Sequence, residues 1–346
     1  MTLWIKHTAA LLALTSSLGG YRYYRYQFEL WYHRHPDKTW HDNIGCVHEV
    51  ALSLLASTGQ KGWIEPAIAA FNDSHRSRIR VSVSYAEDRD ALQGLISGKL
   101  KPVLWSPGST VWADRLNETS GGKLVHYDNP DVARTYLQTS LVLLAPKSAV
   151  ATAGDDGRDL PRFSHANPAA TGSGFFTLGV LLAEYRETLP ADQKFSSAET
   201  VAKSEGFFAF LRERESKMFY DDAGQSGAVA LTRSFAQKPD RYGAVWTWEN
   251  AASEVLQSRA DVAVIEPQTP VIARQSVVLL DSPAVTEDQR KATRELLNYL
   301  ATPEAMAFGT KAGFEPAKPG ATESADYDAL NAATYQWRRL RIAPEL

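Results

Sequence analysis

A chain of 346 residues with 44% hydrophobic and 22% charged residues has an ordinary globular composition and is too apolar and aromatic to stay unfolded. A net charge of −3 gives no sign of a nucleic-acid binder, and the single cysteine, Cys46, excludes an internal disulfide framework and any cysteine-cluster metal site. The length suits one large domain or two medium ones.

Residues 1–46 read differently from the rest. Thr8 to Gly20 is an apolar run behind Lys6 and His7, like a signal segment or a short membrane anchor. It is shorter than the roughly 20 apolar residues of a spanning helix. The aromatic stretch after Gly20 suits a membrane interface, whereas Arg22, Arg25 and Arg34 favour the cytoplasmic side, and no A-x-A cleavage site follows. Ile44-Gly45-Cys46 looks like the end of a lipobox, but polar residues precede it. His33, His35 and His41 read as solvated linker residues rather than metal ligands. The expectation is an uncleaved anchor or export segment followed by a linker, attaching the chain to a membrane.

From Val47 onward strands and helices alternate. Val50 to Leu55 reads as a buried strand ended by Ser57-Thr58-Gly59. Trp63, Ile64, Ala67, Ile68 and Phe71 recur at helical spacing. Ile79 to Ser84 alternates as a strand does, and Ala91, Leu92, Leu95 and Ile96 mark a helix that Gly98 stops. Pro102 to Trp105 is a third strand, leading through Ser106-Pro107-Gly108-Ser109 into a helix with Trp112. This order implies an α/β unit with a mainly parallel sheet and a ligand site at the strand ends.

Thr139 to Ala145 reads as a crossing strand, and Gly154 to Gly157 as a turn. Thr171-Gly172-Ser173-Gly174 opens a helix carrying Leu178, Leu181, Leu182 and Tyr185. Ser226-Gly227 opens another after the acidic loop at Asp221 and Asp222. Tyr242 to Trp248, Val262 to Ile265 and Val277 to Leu280 are strand-like, Glu287 to Leu300 is a helix, and Pro303 starts the next.

Three features carry chemistry. At Thr171 to Gly174, free N–H groups of a helix start and two hydroxyls suit a polar or anionic ligand atom, although an N-cap alone explains the same residues. The Ser/Thr/Gly loops at Ser57-Thr58, Ser106 to Ser109 and Ser226-Gly227 would form a small-molecule site if they converge. Glu249, after Val245-Trp246-Thr247-Trp248, is a ligand hydrogen-bonding group or a structural carboxylate. Residues 94–100 lack a phosphate-loop pattern's full spacing and its final Ser/Thr. No nucleophile elbow, zinc-helix motif or catalytic triad spacing occurs, and His126 and His165 stand alone, so no enzyme, cofactor or metal site is expected.

The stretches ALSLLASTGQKGWIEPAIAAFN, GLISGKLKPVLWSPGSTVW and NPAATGSGFFTLGVLLAEY, with a tail ending in Gly313-Phe314-Glu315-Pro316, resemble bacterial extracellular solute-binding proteins of the type II periplasmic fold. The similar branch is one often found with von Willebrand factor A domains. The resemblance spans about residues 47–320. It implies an α/β two-lobed fold with a ligand cleft: residues 47–140 and 270–346 as one lobe, 141–269 as the other. It further implies that Ser57, Thr58, Ser106, Ser109, Thr171 and Ser173 face a small polar ligand; the residues themselves add Ser226 and Glu249 as ligand-binding candidates, and the lack of an assigned Arg favours an uncharged or modestly anionic ligand. An ABC transporter permease or a von Willebrand factor A protein would be the partner, and the location periplasmic or extracellular. Glu315 stands where the family has Arg, and Glu266-Pro267 where Tyr-Pro is usual. These departures leave open a protein-interaction module with a degenerate cleft.

Overall fold

The computed structural model describes residues 49–76, 78–153, 160, 162–219, 224, 227–318 and 325–342. The expected anchor, the 154–157 turn, the acidic loop at Asp221-Asp222 and Ser226 lie outside the described residues. The chain divides into two units. In the smaller, Met1–Val50 with His75–Arg80, Val50 N donates to Arg78 O at 2.8 Å and Arg78 N to His75 O at 3.0 Å. The larger, Ala51–Ser74 with Val81–Leu346, carries the features below.

The first half alternates strand and helix as the periodicity predicts. Strand β1 (Val50–Ser57) buries Leu52, Leu54 and Leu55 and runs through a 3₁₀ turn into helix α1 (Lys61–Ser74). That helix turns Trp63, Ile64, Ala67, Ile68 and Phe71 inward, one apolar face at 3.6-residue spacing. Strand β2 (Ile79–Ala86) leads into α2 (Asp88–Ile96), which ends before Gly98 at φ +67°. Strand β3 (Leu104–Ser106) leads into α3 (Thr110–Ser120), capped by Ser109 Oγ, which accepts from Val111 N at 3.3 Å.

Strand β4 (Ala133–Pro146) is longer than the sequence pattern suggests, because its first half carries polar residues that the sheet still pairs. Helices α4 (Lys147–Ala153), α5 (Gly172–Thr188), α6 (Ala198–Ala202), α7 (Glu205–Ser216), α8 (Ala228–Gln237) and α9 (Pro239–Tyr242) precede β5 (Val245–Trp248). Then come α10 (Glu249–Ser258), β6 (Val262–Ile265), β7 (Ile272–Leu279), α11 (Glu287–Leu300), α12 (Pro303–Lys311), β8 (Glu315–Pro316) and α13 (Tyr327–Ile342).

The main strand order is β2-β1-β3-β7-β4-β5, with β6 and β8 also on β4. The sheet is mixed rather than mainly parallel. β1 and β3 are parallel, but β7 is antiparallel to both β3 and β4. The reason is β4 itself: residues 133–140 pair with β7, and 141–146 with β5 and β6, so one strand serves two sheet regions. This is an α/β fold in which one long strand is shared by two sheet regions.

Two apolar contacts link the parts. Trp112 of α3 packs against Phe175 of α5 at 4.9 Å between ring centroids, and Phe176 continues the cluster to Trp248 at 5.4 Å. Helix α13 packs its Ala329, Ala333 and Trp337 on Leu178, Leu181, Phe207 and Leu211 of α5 and α7. Its apolar face therefore sits on helices of the 141–269 segment, whereas the sequence reading grouped 270–346 with 47–140. Buried Glu215 pins it further, accepting from Trp337 Nε1 at 3.0 Å and Arg341 at 3.2 Å, with His165 Nε2 2.8 Å away. His165 thus has a structural setting. No helix among the described residues is long and apolar enough to cross a membrane.

Candidate functional site

A cavity of about 600 Å³ opens where the ends of β1, β2 and β3 meet the starts of α5, α8 and α10. That is within the range of small-molecule sites. Three of the expected residues line it: Ser57, Thr58 and Ser173.

The floor is tied together by hydrogen bonds. Gln60 Nε2 donates to Pro107 O at 2.8 Å and to Gln275 Oε1 at 2.6 Å. Gln275 Nε2 donates to Gly108 O at 2.8 Å. Ser106 Oγ lies 2.6 Å from Gln60 Oε1 and 2.8 Å from Ser276 O, both acceptors. Ser106 and Ser109 are fully buried and do not line the cavity. They are a strut and a helix cap, because strand-end hydroxyls that find internal partners turn away from solvent. Thr171 is likewise a cap: its Oγ1 accepts from Gly174 N at 3.2 Å and donates to Asn167 O at 3.0 Å.

Ser173 differs. It is buried, it lines the cavity, and its Oγ has no hydrogen-bond partner. Buried hydroxyls normally have one, so this oxygen is an exception beside the cavity. Its placement depends on Gly174, where an added Cβ would come within 2.1 Å of Ala166 O. The helix start can press on that backbone only without a side chain.

Glu249 lies outside the cavity lining, although its neighbours Trp248 and Asn250 belong to it. Its carboxylate is hydrogen-bonded to Ser140, and burial, then Glu315 and Glu266, push its pKa up. Asn250 joins the two sides instead. Its Nδ2 donates to Gly59 O at 3.4 Å, its N to Thr139 Oγ1 at 3.2 Å, and its Oδ1 accepts from that hydroxyl at 3.2 Å.

The residues that sequence reasoning missed are acidic. Asp88 Oδ1 accepts from Gly108 N at 2.8 Å, and Oδ2 accepts from Ser57 Oγ at 3.3 Å. Glu87 Oε1 accepts from Thr58 Oγ1 at 2.5 Å. Burial pushes the Glu87 carboxyl up, with Thr58 opposing. Both carboxylates reach the opposite wall: Cβ atoms added at Gly172 and Gly227 would stand 3.2 Å from Asp88 Oδ2 and 3.3 Å from Glu87 Oε1. The available signal was Glu87-Asp88 directly after an alternating strand and ahead of a helix. Outer charges are paired at the mouth: Lys61 with Glu65 at 3.6 Å and Arg233 with Glu254 at 3.2 Å, all well exposed.

A cleft between two sheet regions, lined by strand-end loops and helix starts, defines a binding protein of the periplasmic type. The sequence matches the bacterial extracellular solute-binding protein family over residues 52–315, and the chain belongs to that family. Its fold resembles the sulfate-binding protein SubI from Mycobacterium tuberculosis, at TM-score 0.56 and 16% identity over 84% of this chain and 91% of that one. It also resembles iron-bound HitA from Pseudomonas aeruginosa, at TM-score 0.56 and 12% identity over 84% and 98%. A third likeness is the maltodextrin-binding domain MalE from Bdellovibrio bacteriovorus bound to maltotriose, at TM-score 0.53 and 15% identity over 86% and 88%. A search of curated proteins by sequence returns no significant match. Family and fold neighbours are binding proteins, and the family is extracytoplasmic.

Proposed function

We propose that this protein captures a small polar solute between its two lobes and presents it to an ABC transporter permease, from a position tethered at the membrane. The observation that carries the reading is the cavity of about 600 Å³ lined by strand-end loops and helix starts, with Ser57, Thr58 and Ser173 among its residues. Ser57, Thr58 and Ser173 are the hydroxyl groups offered to the solute. Glycine-rich helix starts let the solute approach the backbone. Closure would follow from contacts that the open state lacks.

The test is native mass spectrometry of the intact protein from its own cell fraction. A co-purifying small molecule, lost when Ser173→Ala is introduced, supports capture at this site. A protein that carries and binds no small molecule contradicts it.

A second reading, a protein-interaction module on the same fold, draws support from the aromatic cluster of Trp112, Phe175 and Phe176, which would resist lobe opening. Recovery of a stable protein complex together with an empty cleft would favour it.

A further inference from the structure

We propose that the cleft selects a solute carrying an ammonium group, with Glu87 as its counter-ion, the Ser173 hydroxyl as a hydrogen-bond partner, and Asp88 as the group that turns oxyanions away. This inference rests on the solute-binding reading above and names the chemical class for that site.

The exclusion comes first. A helix start and a strand-end loop with free N–H groups form a ready anion site. Here a carboxylate of the chain already occupies that position. Asp88 takes the Gly108 N–H and the Ser57 hydroxyl, and its Oδ2 stands 3.2 Å from where a Gly172 Cβ would be. A sulfate or molybdate would have to displace a buried, hydrogen-bonded carboxylate of its own sign. Like charges at such spacing oppose binding strongly.

The attraction follows from what remains. Glu87 lines the cavity, and its hydrogen bond from Thr58 holds its carboxylate in place. Lys61 and Arg233 already face Glu65 and Glu254 at the exposed mouth, and Lys311 is also exposed. The inner wall therefore carries acid charge, set in a partly dry site where Coulomb attraction is stronger than in water. Ser173 belongs to the same lining, and its hydroxyl, closed to solvent here and without a partner, is a neutral acceptor for a solute that presses against the start of α5. A cavity of about 600 Å³ also suits an organic cation better than a bare ion.

The experiment is calorimetric titration of the full chain with putrescine, sulfate, molybdate and maltotriose in separate runs. Putrescine is expected to bind, and the other three are not. Glu87→Gln should weaken putrescine by about tenfold or more, the usual effect of removing a charged hydrogen-bond partner. Ser173→Ala should weaken it by a smaller factor. Because the wild-type panel decides the class by itself, misfolding of a variant leaves the test intact. Binding of sulfate or molybdate, or equal putrescine affinity in wild type and Glu87→Gln, overturns the selection. Maltotriose binding alone overturns it while leaving solute capture standing. Silence across all four probes also overturns the selection, and the co-purification experiment then judges solute capture separately.

Discussion

The two flanks of the cleft use opposite chemistry. On one, Trp112 meets Phe175 and Phe176 in a buried aromatic cluster that joins α3 to α5. On the other, Ser57, Thr58, Glu87, Asp88 and Ser173 line a polar cavity, and only Ser173 of these belongs to the same helix α5. The contrast begins within α5. Its second residue, Ser173, faces the cavity wall, while Phe175 and Phe176 two and three positions on enter the core. One helix start thus borders both the core and the cavity, and substitutions on either side should separate packing from any effect on solute binding.

The largest effect is expected at Trp112→Ala, which empties the apolar flank. Urea denaturation should show a loss of roughly 3–5 kcal/mol. A loss below about 1 kcal/mol would mean that the flank does not hold the lobes together. Gly174→Ala comes next, since its Cβ meets Ala166 O, and about 1–3 kcal/mol should be lost in the same assay. Thr171→Ala removes an N-cap and should cost about 1 kcal/mol.

Ser173→Ala should behave differently. Removing a buried hydroxyl that has no partner should leave stability unchanged or raise it by up to about 1 kcal/mol, while weakening solute binding. A fall in stability without a fall in affinity would return Ser173 to the structural flank.

The smallest effect concerns pH. Burial raises the Glu87 pKa in the folded chain above its ordinary 4.5, so the folded state binds more protons than the unfolded state just above that value. The stability tied to this group is present below the unfolded pKa and is lost as pH rises through the folded one. Thermal melts of Glu87→Gln should lack this part of the downward slope. An unchanged slope would remove Glu87 from the polar flank's electrostatics.

The fold was legible where one apolar face dominates. Glu287–Leu300 has the expected bounds because its buried positions repeat at helical spacing and Thr286 with Gln289 forms a capping box. The start of β4 was hidden because Arg134, Thr135 and Gln138 look like loop residues, yet their backbone pairs with β7. The antiparallel pairings were hidden for a related reason: periodicity reports faces, not strand direction.

The site was legible by residue type and misjudged by partner. Ser106, Ser109 and Thr171 carry the right hydroxyls, but each satisfies a neighbour in the chain. Glu249 turns to Ser140. Glu87 and Asp88 gain their meaning only when β2 lies beside β1 and the loop at Gly108 closes over them.

The central claim is that a solute is held by both walls of the cleft at once. Hydrogen exchange of the full chain, with and without the solute recovered from its cell fraction, tests it directly. The account predicts added protection at residues 57–60 and at 172–176 together. Protection confined to one of these segments, or found at neither, would contradict it.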